Sequence, residues 1–329
     1  MNSFGRIFRV HIFGESHGES VGILIDGCPA GLPLLTYDFT HDLERRKGGA
    51  KGTTPRKEDD IPFFKSGVFN DKTTGAPINI LFENNNTRSS DYQKQRDIPR
   101  PGHADFVASK KFGGYEDYRG GGHFSGRLTV ALVAAGVIAK KLLAGINVVA
   151  TIKEIGGETN PEAGLQKAID AKDSVGGIVE CVVDGLPIGL GEPFFDSIEA
   201  VISHAVFSIP AIRGIEFGTG FAAAKMFGTQ HNDAIENMEG TTRTNHAGGV
   251  VGGITNNNSF VFRVAVKPTS STAKEQQTLN WETGTQDILS VKGRHDLCIA
   301  LRVPVVLEAV TAIVLADFMM LENKIRRII

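Results

Sequence analysis

Two histidines sit in motifs that could move protons. His17 lies in GESHG (Gly14 to Gly18), between two apolar strand-like runs. His103 lies in RPGHAD (Arg100 to Asp105), pinned in a Pro-Gly turn beside Arg100. An imidazole, with an ordinary pKa of about 6.5, can donate a proton or hold an anion near neutral pH. A lone histidine in a turn more often serves structure; two of them near arginines favour function.

Cations supply the next signal. ERRKGGAKGTTPRK (44–57) carries Arg45, Arg46, Lys47, Lys51, Arg56 and Lys57, with no acid from 45 to 57. Such a loop suits a ligand rich in phosphate or carboxylate. It reads equally well as a solvated basic surface neutralised by Glu58, Asp59 and Asp60. RGGGHFSGR (Arg119 to Arg127) offers bare backbone N–H groups and a helix start, both attractive to anions. There Ser125 can cap the helix, and Arg127 needs a partner or a ligand for its charge. NHAGGVVGG (Asn245 to Gly253) precedes a strand that ends in VKPTSS (Val266 to Ser271). That run is either a plain turn or a seat for a terminal phosphate, with one cation, hydroxyls and N–H groups. KGRHD (Lys292 to Asp296) places Arg294 and Asp296 before the last long helix. Asp296 is readable as an N-cap or as a carboxylate that handles protons.

Two motif matches lack their context. GESHG fits G-x-S-x-G, but the strand pattern ESVGILIDG follows Ser16 where a nucleophile elbow needs a helix. GTGFAA (Gly218 to Ala223) fits G-x-G-x-x-A, but the polar FGTQHNDAIENMEG follows instead of a βαβ unit. The sequence has no phosphate-binding G-x-x-x-x-G-K-[ST] loop.

The elements that must position these residues follow from periodicity. Strands are expected at Arg6 to Phe13, Ser20 to Asp26, Phe63 to Phe69, Ile78 to Phe82, Asn147 to Ile155, Ile178 to Val183, Gly214 to Gly220 and Ser259 to Val266. Helices are expected at Tyr37 to Lys47, Thr129 to Leu143, Pro161 to Ala171, Asp196 to His204 and Ala300 to Lys324, the last with Pro304 in its first turn. Residues 48–60 and 83–100 read as loops. RLTVALVAAGVIA from Arg127 echoes RVPVVLEAVTAIVLA from Arg302, which fits a layer of buried helices and a duplicated unit, or similar composition alone.

Composition bounds the rest. With 329 residues, 41% of them apolar, the chain can bury a large core without staples. No composition shift marks a boundary, so one domain spanning 1–329 is expected. A net charge of −2 gives no general pull toward nucleic acid or anionic membrane. Cys28, Cys181 and Cys298 are scattered, which argues against a zinc site and fits a reducing compartment. The N-terminus shows no signal-peptide pattern, and Val303 to Leu321, interrupted by Pro304, Glu308 and Asp317, reads as a buried helix. A cytoplasmic location, no metal and no membrane partner are the expectation. Glycine, at 39 residues, exceeds the usual ~7% share and clusters where backbone could approach a ligand.

GESHG, RPGHAD, RGGGxxSxR, KPTSS and GRHD, in this order, resemble the chorismate synthase family, from FGRIFRVHIFGESHG to RHDLCIALRVPVVLEAVTAIVLAD. SGVFNDKTTGAPI (66–78) and SIPAIRGIEFGTGF (208–221) extend the likeness. The resemblance implies an α+β fold, a β-α-β sandwich with a buried layer of long helices in a single domain, assembled as a homotetramer. It implies a lyase that converts 5-enolpyruvylshikimate 3-phosphate to chorismate and phosphate, with reduced FMN and with NADPH for flavin reduction. By motif, His17 would protonate the departing phosphate, His103 would serve the reduced flavin, and Asp296 would help take the ring proton. Substrate contacts would fall to Arg46, Lys51, Arg100, Ser125 and Arg127. Flavin contacts would fall to His123, Phe124, Ser125, Ala211, Gly252, Lys267, Pro268, Thr269, Ser270, Ser271 and Arg294. Arg46 matches a position also assigned to NADP. Where the family usually shows Arg-Ser-Ser-Ala-Arg-Glu-Thr, this chain has His123 through Thr129, and a common arginine is replaced near Gly52 by neighbouring Lys51. A flavin oxidoreductase, or a nucleic-acid binder using the 44–57 loop, stands as the alternative.

Overall fold

Alternating apolar residues build two sheets, and two long apolar helices are buried against them. The computed structural model describes residues 1–87, 96–291 and 294–325. The N-terminal part holds β1 (Ser3–Phe4), β2 (Arg9–Gly14), β3 (Ser20–Asp26), β4 (Phe63–Ser66), the short β5 and β6 (Val68–Phe69, Lys72–Thr73) and β7 (Ile78–Glu83). Five of these form an antiparallel sheet in the order β1-β2-β3-β7-β4. Further on come β8 (Asn147–Ile155), β9 (Gly177–Asp184), β10 (Ile212–Phe217), β11 and β12 (Val250–Val251, Ile254–Thr255), β13 (Phe260–Val266), and β14 and β15 (Gln276–Asn280, Thr285–Leu289). The second sheet is antiparallel, in the order β10-β13-β9-β8. The helices are α1 (Thr40–Arg46), α2 (Asp105–Phe112), α3 (Thr129–Leu142), α4 (Pro161–Ala171), α5 (Ile198–Val206), the single turn α6 (Gly228–His231) and α7 (Val303–Leu321).

Helix α3 packs on β3 and β7, α7 packs on β8 and β9, and the two helices pack on each other. Gly136 permits that crossing: a Cβ there would lie 2.3 Å from Ala309 Cβ. The buried side chains of both sheets and both helices form one apolar cluster. The chain is therefore α+β, with sheets that do not interleave with helices as a parallel α/β fold would.

Helix α7 carries Glu308 and Asp317 into this core, and each is fully engaged. Glu308 receives a bidentate pair from Arg45, both bonds 2.7 Å, plus Lys140 Nζ at 2.9 Å and the Ala150 N–H at 3.0 Å. Asp317 accepts from the backbone N–H groups of Arg6, Ile7 and Phe8 at 2.7–2.9 Å. These bonds resolve the apparent conflict of acids in a core helix. The segment Ile299–Leu321 is long and apolar enough to cross a membrane, yet 78% of its apolar window is buried inside the protein.

Several expected boundaries shift for local reasons. The strand expected over Phe63 to Phe69 breaks at Gly67, whose φ of +84° ends the extended run. The one expected over Gly214 to Gly220 runs instead over Ile212–Phe217, because Gly218 and Gly220 take positive φ. The Tyr37 to Lys47 helix starts as a 3-10 turn (Thr36–Phe39), and the last helix starts as another (Ile299–Arg302) and stops at Leu321. The loop expected over 83–100 lies partly, and Lys292 and Gly293 of KGRHD lie wholly, outside the described residues. The echo between the 127 and 302 segments has a structural counterpart: a 3-10 turn holding an arginine leads into α3 and another into α7.

Candidate active site

A cavity of about 700 Å³ opens where the ends of α1, α3 and α7 meet the loops after β2 and β13. Its electrostatic centre is Asp60, which no strand or helix carries. Arg46, at the end of α1, donates to Asp60 Oδ2 at 2.7 Å, and Arg127 donates to Oδ1. All three side chains are buried. Burial pushes the Asp60 pKa up, but the two guanidinium groups outweigh it and hold the carboxyl below its ordinary range. Arg127 is further fixed by Asn84 Oδ1 at 2.9 Å and the Glu83 carbonyl at 3.1 Å. Two arginines on one carboxylate leave a net positive charge facing the cavity. The Arg46 Nε is buried without a hydrogen-bond partner among the described residues.

The RPGHAD turn makes a second cluster. Arg100 clamps Asp105 with Nε and Nη2, both at 2.8 Å, and reaches Ser271 Oγ at 3.0 Å. His103 Nδ1 lies 2.6 Å from Asp105 Oδ1. A carboxylate only accepts, so this contact places a proton on Nδ1, the atom that Arg100 Nη2 also approaches at 3.0 Å. Nε2 would lie 3.5 Å from a Cβ on Gly121, so the ring faces the glycine-rich turn. Burial works against the Asp105 charge, but Arg100 and His103 outweigh it and lower its pKa strongly.

His17 stands behind that turn. A Cβ on Gly120 would meet the His17 ring at 2.5 Å and Ser16 Oγ at 3.0 Å, and Ser16 and Gly120 both line the cavity. Gly120, Gly121 and Gly122 all have positive φ, so the turn passes close to the ring as only glycine allows. The His17 pKa falls to about 4, through burial first, then Arg56, Arg119 and Arg294, with Asp117 opposing. Without an anion nearby, this imidazole is neutral at pH 7. Ser16 itself accepts from Arg56 Nη1 at 3.0 Å, while Arg56 also pairs with Glu58 at 2.7 Å. A strand, Ser20–Asp26, follows Ser16 where a nucleophile elbow needs a helix, so the context for a serine nucleophile is missing.

Asp296 reaches the cavity as a bound carboxylate. It accepts from the Thr54 N–H at 2.9 Å and from Arg302 Nη1 at 3.0 Å. Arg302 Nε in turn holds the Arg46 carbonyl at 2.8 Å, so one guanidinium links α1 to the start of α7. Asp296 is not the N-cap of the last helix; Arg302 flanks α7, and Cys298 flanks the 3-10 turn before it. Arg294 is held by Asn86, at 2.7 Å to its side-chain oxygen and 3.0 Å to its carbonyl.

Beside the RPGHAD turn, Lys267 Nζ bonds the Gly102 carbonyl at 2.7 Å and Ser270 Oγ at 2.8 Å. Pro268, Thr269, Ser270 and Ser271 follow along the cavity, and the Thr269 hydroxyl is buried without a partner among the described residues. Ala211, beside them, has a φ of +75°, which is uncommon for a residue with a Cβ. His123, Phe124 and Ser125 also line the cavity. His123 bonds the Gly14 carbonyl at 2.8 Å and Asn2 Oδ1 at 3.1 Å, Phe124 packs on Phe112, and Ser125 caps the turn holding Arg127.

Three expected site residues do not line the cavity: His17, whose ring lies against Gly120, and Lys51 and Gly252. Lys51 is exposed, bonded to Gln166 at 2.9 Å, and does not line the cavity. The place beside it cannot hold a long side chain: Gly52 has a φ of +82°, and a Cβ there would meet Leu165 at 2.6 Å. Gly252 sits between β11 and β12 with φ +64° and does not line the cavity either. Sequence reasoning gave Asp60 only as a neutraliser and left Asn84, Asn86, Arg213 and Arg302 without site roles. RVPVV, the arginine before the echoed helix, was the available signal for Arg302.

Among the described residues no group of three His, Cys, Asp or Glu is arranged to hold a metal ion. Arg46, Arg56, Arg100, Arg127, Arg294 and Arg302 line the cavity with His103, and His17 stands behind Gly120.

Comparison with known proteins agrees in kind. The chorismate synthase family model matches residues 8–320. A chorismate synthase of Chitinophaga pinensis is 74% identical over 329 residues, covering 100% of this chain and 99% of that protein. One from Korarchaeum cryptofilum is 45% identical, covering 96% and 97%. A crystal structure of a chorismate synthase superposes with a TM-score of 0.75 at 28% identity, covering 97% of this chain and 93% of that one. With a family match across nearly its whole length and a full-length relative at such identity, the chain belongs to the chorismate synthase family.

Proposed function

We propose that this chain is the lyase that converts 5-enolpyruvylshikimate 3-phosphate to chorismate and phosphate, in the cavity centred on Asp60. The observation that carries the reading is the convergence of Arg46, Arg127, Arg100, Arg294 and His103 on one cavity bordered by His17. The substrate carries two carboxylates and a phosphate, and the net positive wall matches that charge.

Elimination breaks an allylic C–O bond, releases phosphate, and removes a proton from a distant ring carbon. His17 is the acid for the leaving phosphate. It is neutral in the free protein, so the proton arrives with the anion: a phosphate beside the ring offsets Arg56, Arg119 and Arg294 and raises its pKa. Arg46 and Arg127 hold anionic groups without reorganising, because Asp60 fixes them beforehand. Asp296, which lines the cavity, is the candidate to take part in the ring-proton transfer; its tie to Thr54 and Arg302 orients it.

The residues present fit reduced FMN. The buried Thr269 hydroxyl without a partner among the described residues and the neighbouring Lys267 are suited to a phosphate-bearing ligand on this part of the cavity lining. His103, with Nδ1 held by Asp105, presents Nε2 toward that ligand. When bound, reduced FMN supplies an electron-rich ring beside the electron-poor substrate. NADPH enters this reading only as a source of reduced flavin.

The wider architecture is a single-domain β-α-β sandwich, supported by α3 and α7 lying against one sheet each. The protein works in the cytoplasm as a homotetramer, with a small-molecule substrate and neither nucleic acid nor membrane as partner. An anaerobic assay tests the reaction class. Phosphate release with pre-reduced FMN and no flavin consumption supports the lyase; NAD(P)H oxidation without phosphate release supports an oxidoreductase.

A further inference from the structure

We propose that Arg213 and Lys267 form a two-cation clamp for the dianionic phosphate of the flavin, and that this clamp selects FMN over riboflavin. The proposal rests on the flavin reading above and adds a residue to it.

Arg213 occupies a backbone irregularity. Along the β10–β13 pair Ile212 faces Val266, but Gly214 faces Ala265, so Arg213 is an extra residue with no partner across the ladder. Such a bulge re-aims a side chain at a sheet edge. Two residues earlier, Ala211 holds its φ of +75°, and its carbonyl accepts from the Lys267 N–H at 2.9 Å. Strain of this kind persists where the surroundings enforce it. Together the two features bring Arg213 and Lys267 to adjacent strand ends, and both line the cavity.

Arg213 differs from its neighbours in having nothing to hold. Arg46, Arg100, Arg127 and Arg302 each face a carboxylate. Arg213 has no hydrogen-bond or ion-pair partner among the described residues, and it is exposed. Burial first, and then the Arg213 charge, lower the Lys267 pKa. A dianion between the two cations offsets that repulsion. Thr269 also lines the cavity, and its buried hydroxyl, without a partner among the described residues, is a further donor. One lysine alone would match half the charge of a phosphate monoester; the bulge supplies the second cation with a planar fork suited to phosphate oxygens.

The test is equilibrium titration of the full chain with oxidised FMN and, separately, riboflavin, read by quenching of flavin fluorescence. Wild type is expected to bind FMN at least roughly tenfold more tightly than riboflavin. Arg213→Gln is expected to weaken FMN by roughly tenfold and leave riboflavin unchanged, with Arg213→Lys in between. Unchanged FMN affinity in Arg213→Gln, or an equal loss for both flavins, overturns the clamp. A wild type that quenches neither flavin overturns the flavin reading itself and the clamp with it. The melting temperature of Arg213→Gln checks the fold, which the exposed position should leave intact.

Discussion

His103 and Asp105 are joined by a 2.6 Å contact inside a three-residue cluster that Arg100 closes. One carboxylate thus orients both the histidine ring and the arginine. Asp105→Asn keeps the shape but removes the charge, leaving Arg100 buried and unpaired. We expect a loss of about 3–5 kcal/mol in chemical denaturation and a fall in kcat of tenfold or more. Wild-type stability in Asp105→Asn would show that the cluster contributes little.

The pH dependence of stability follows from the same carboxylate. Its folded pKa lies below the unfolded value of about 4. Its contribution is therefore complete above that value and is lost as pH falls through the folded pKa. Asp105→Asn should flatten acid denaturation curves below about pH 4, and identical curves would contradict the assignment.

His17 runs in the other sense. In the free protein its pKa is lowered to about 4. The unfolded chain binds the extra proton between about pH 6.5 and 4, so this group costs stability as pH falls through that window. The ring resonance of His17 should titrate near pH 4 alone and move upward when inorganic phosphate is added. A free-protein midpoint at 6.5, or no response to phosphate, would refute the proton-arrival argument.

Asp60 holds two buried arginines, so its removal should be more harmful than the removal of either arginine. Asp60→Asn is expected to cost about 3–5 kcal/mol by leaving two buried cations together. Arg46→Ala leaves Asp60 paired with Arg127 and should raise KM for the substrate more than it lowers the melting temperature. Equal destabilisation in the two variants would argue against a shared carboxylate.

Gly120→Ala tests the close approach of the glycine turn. The added methyl would lie 2.5 Å from the His17 ring at a φ of +60°. Turnover should drop at least tenfold through displacement of His17, while the apolar core, which Gly120 does not enter, keeps the variant folded. A fully active Gly120→Ala would show that the ring tolerates movement.

The two long helices and most strands were legible because their apolar periods are unbroken, as in Val130 to Ile138 and Phe260 to Val266. The cationic motifs were legible because arginines beside glycines and histidines are rare in plain turns. The partners were not. Asp60 meets Arg127 across 67 residues and Asn86 meets Arg294 across 208, and no local pattern reports such pairs. Helix α2 escaped notice because DFVASKKF carries no amphipathic stripe, and the β14–β15 hairpin because QQTLN and TQDIL are mostly polar. The basic loop divided: Arg45, Arg46 and Arg56 turn inward onto Glu308, Asp60 and Glu58, while Lys51 points to the surface. The positive φ at Ala211 and the bulge at Arg213, where β10 pairs with β13, have no local sequence pattern that reports them.

The central claim is that His17 and His103 act together in one anion-filled cavity. It is tested most directly by anaerobic turnover of 5-enolpyruvylshikimate 3-phosphate with pre-reduced FMN, comparing wild type, His17→Ala and His103→Ala. We predict equal amounts of chorismate and phosphate from wild type, and rates lower by about 10²-fold or more in each folded variant. Near-wild-type rates in both variants would contradict the account.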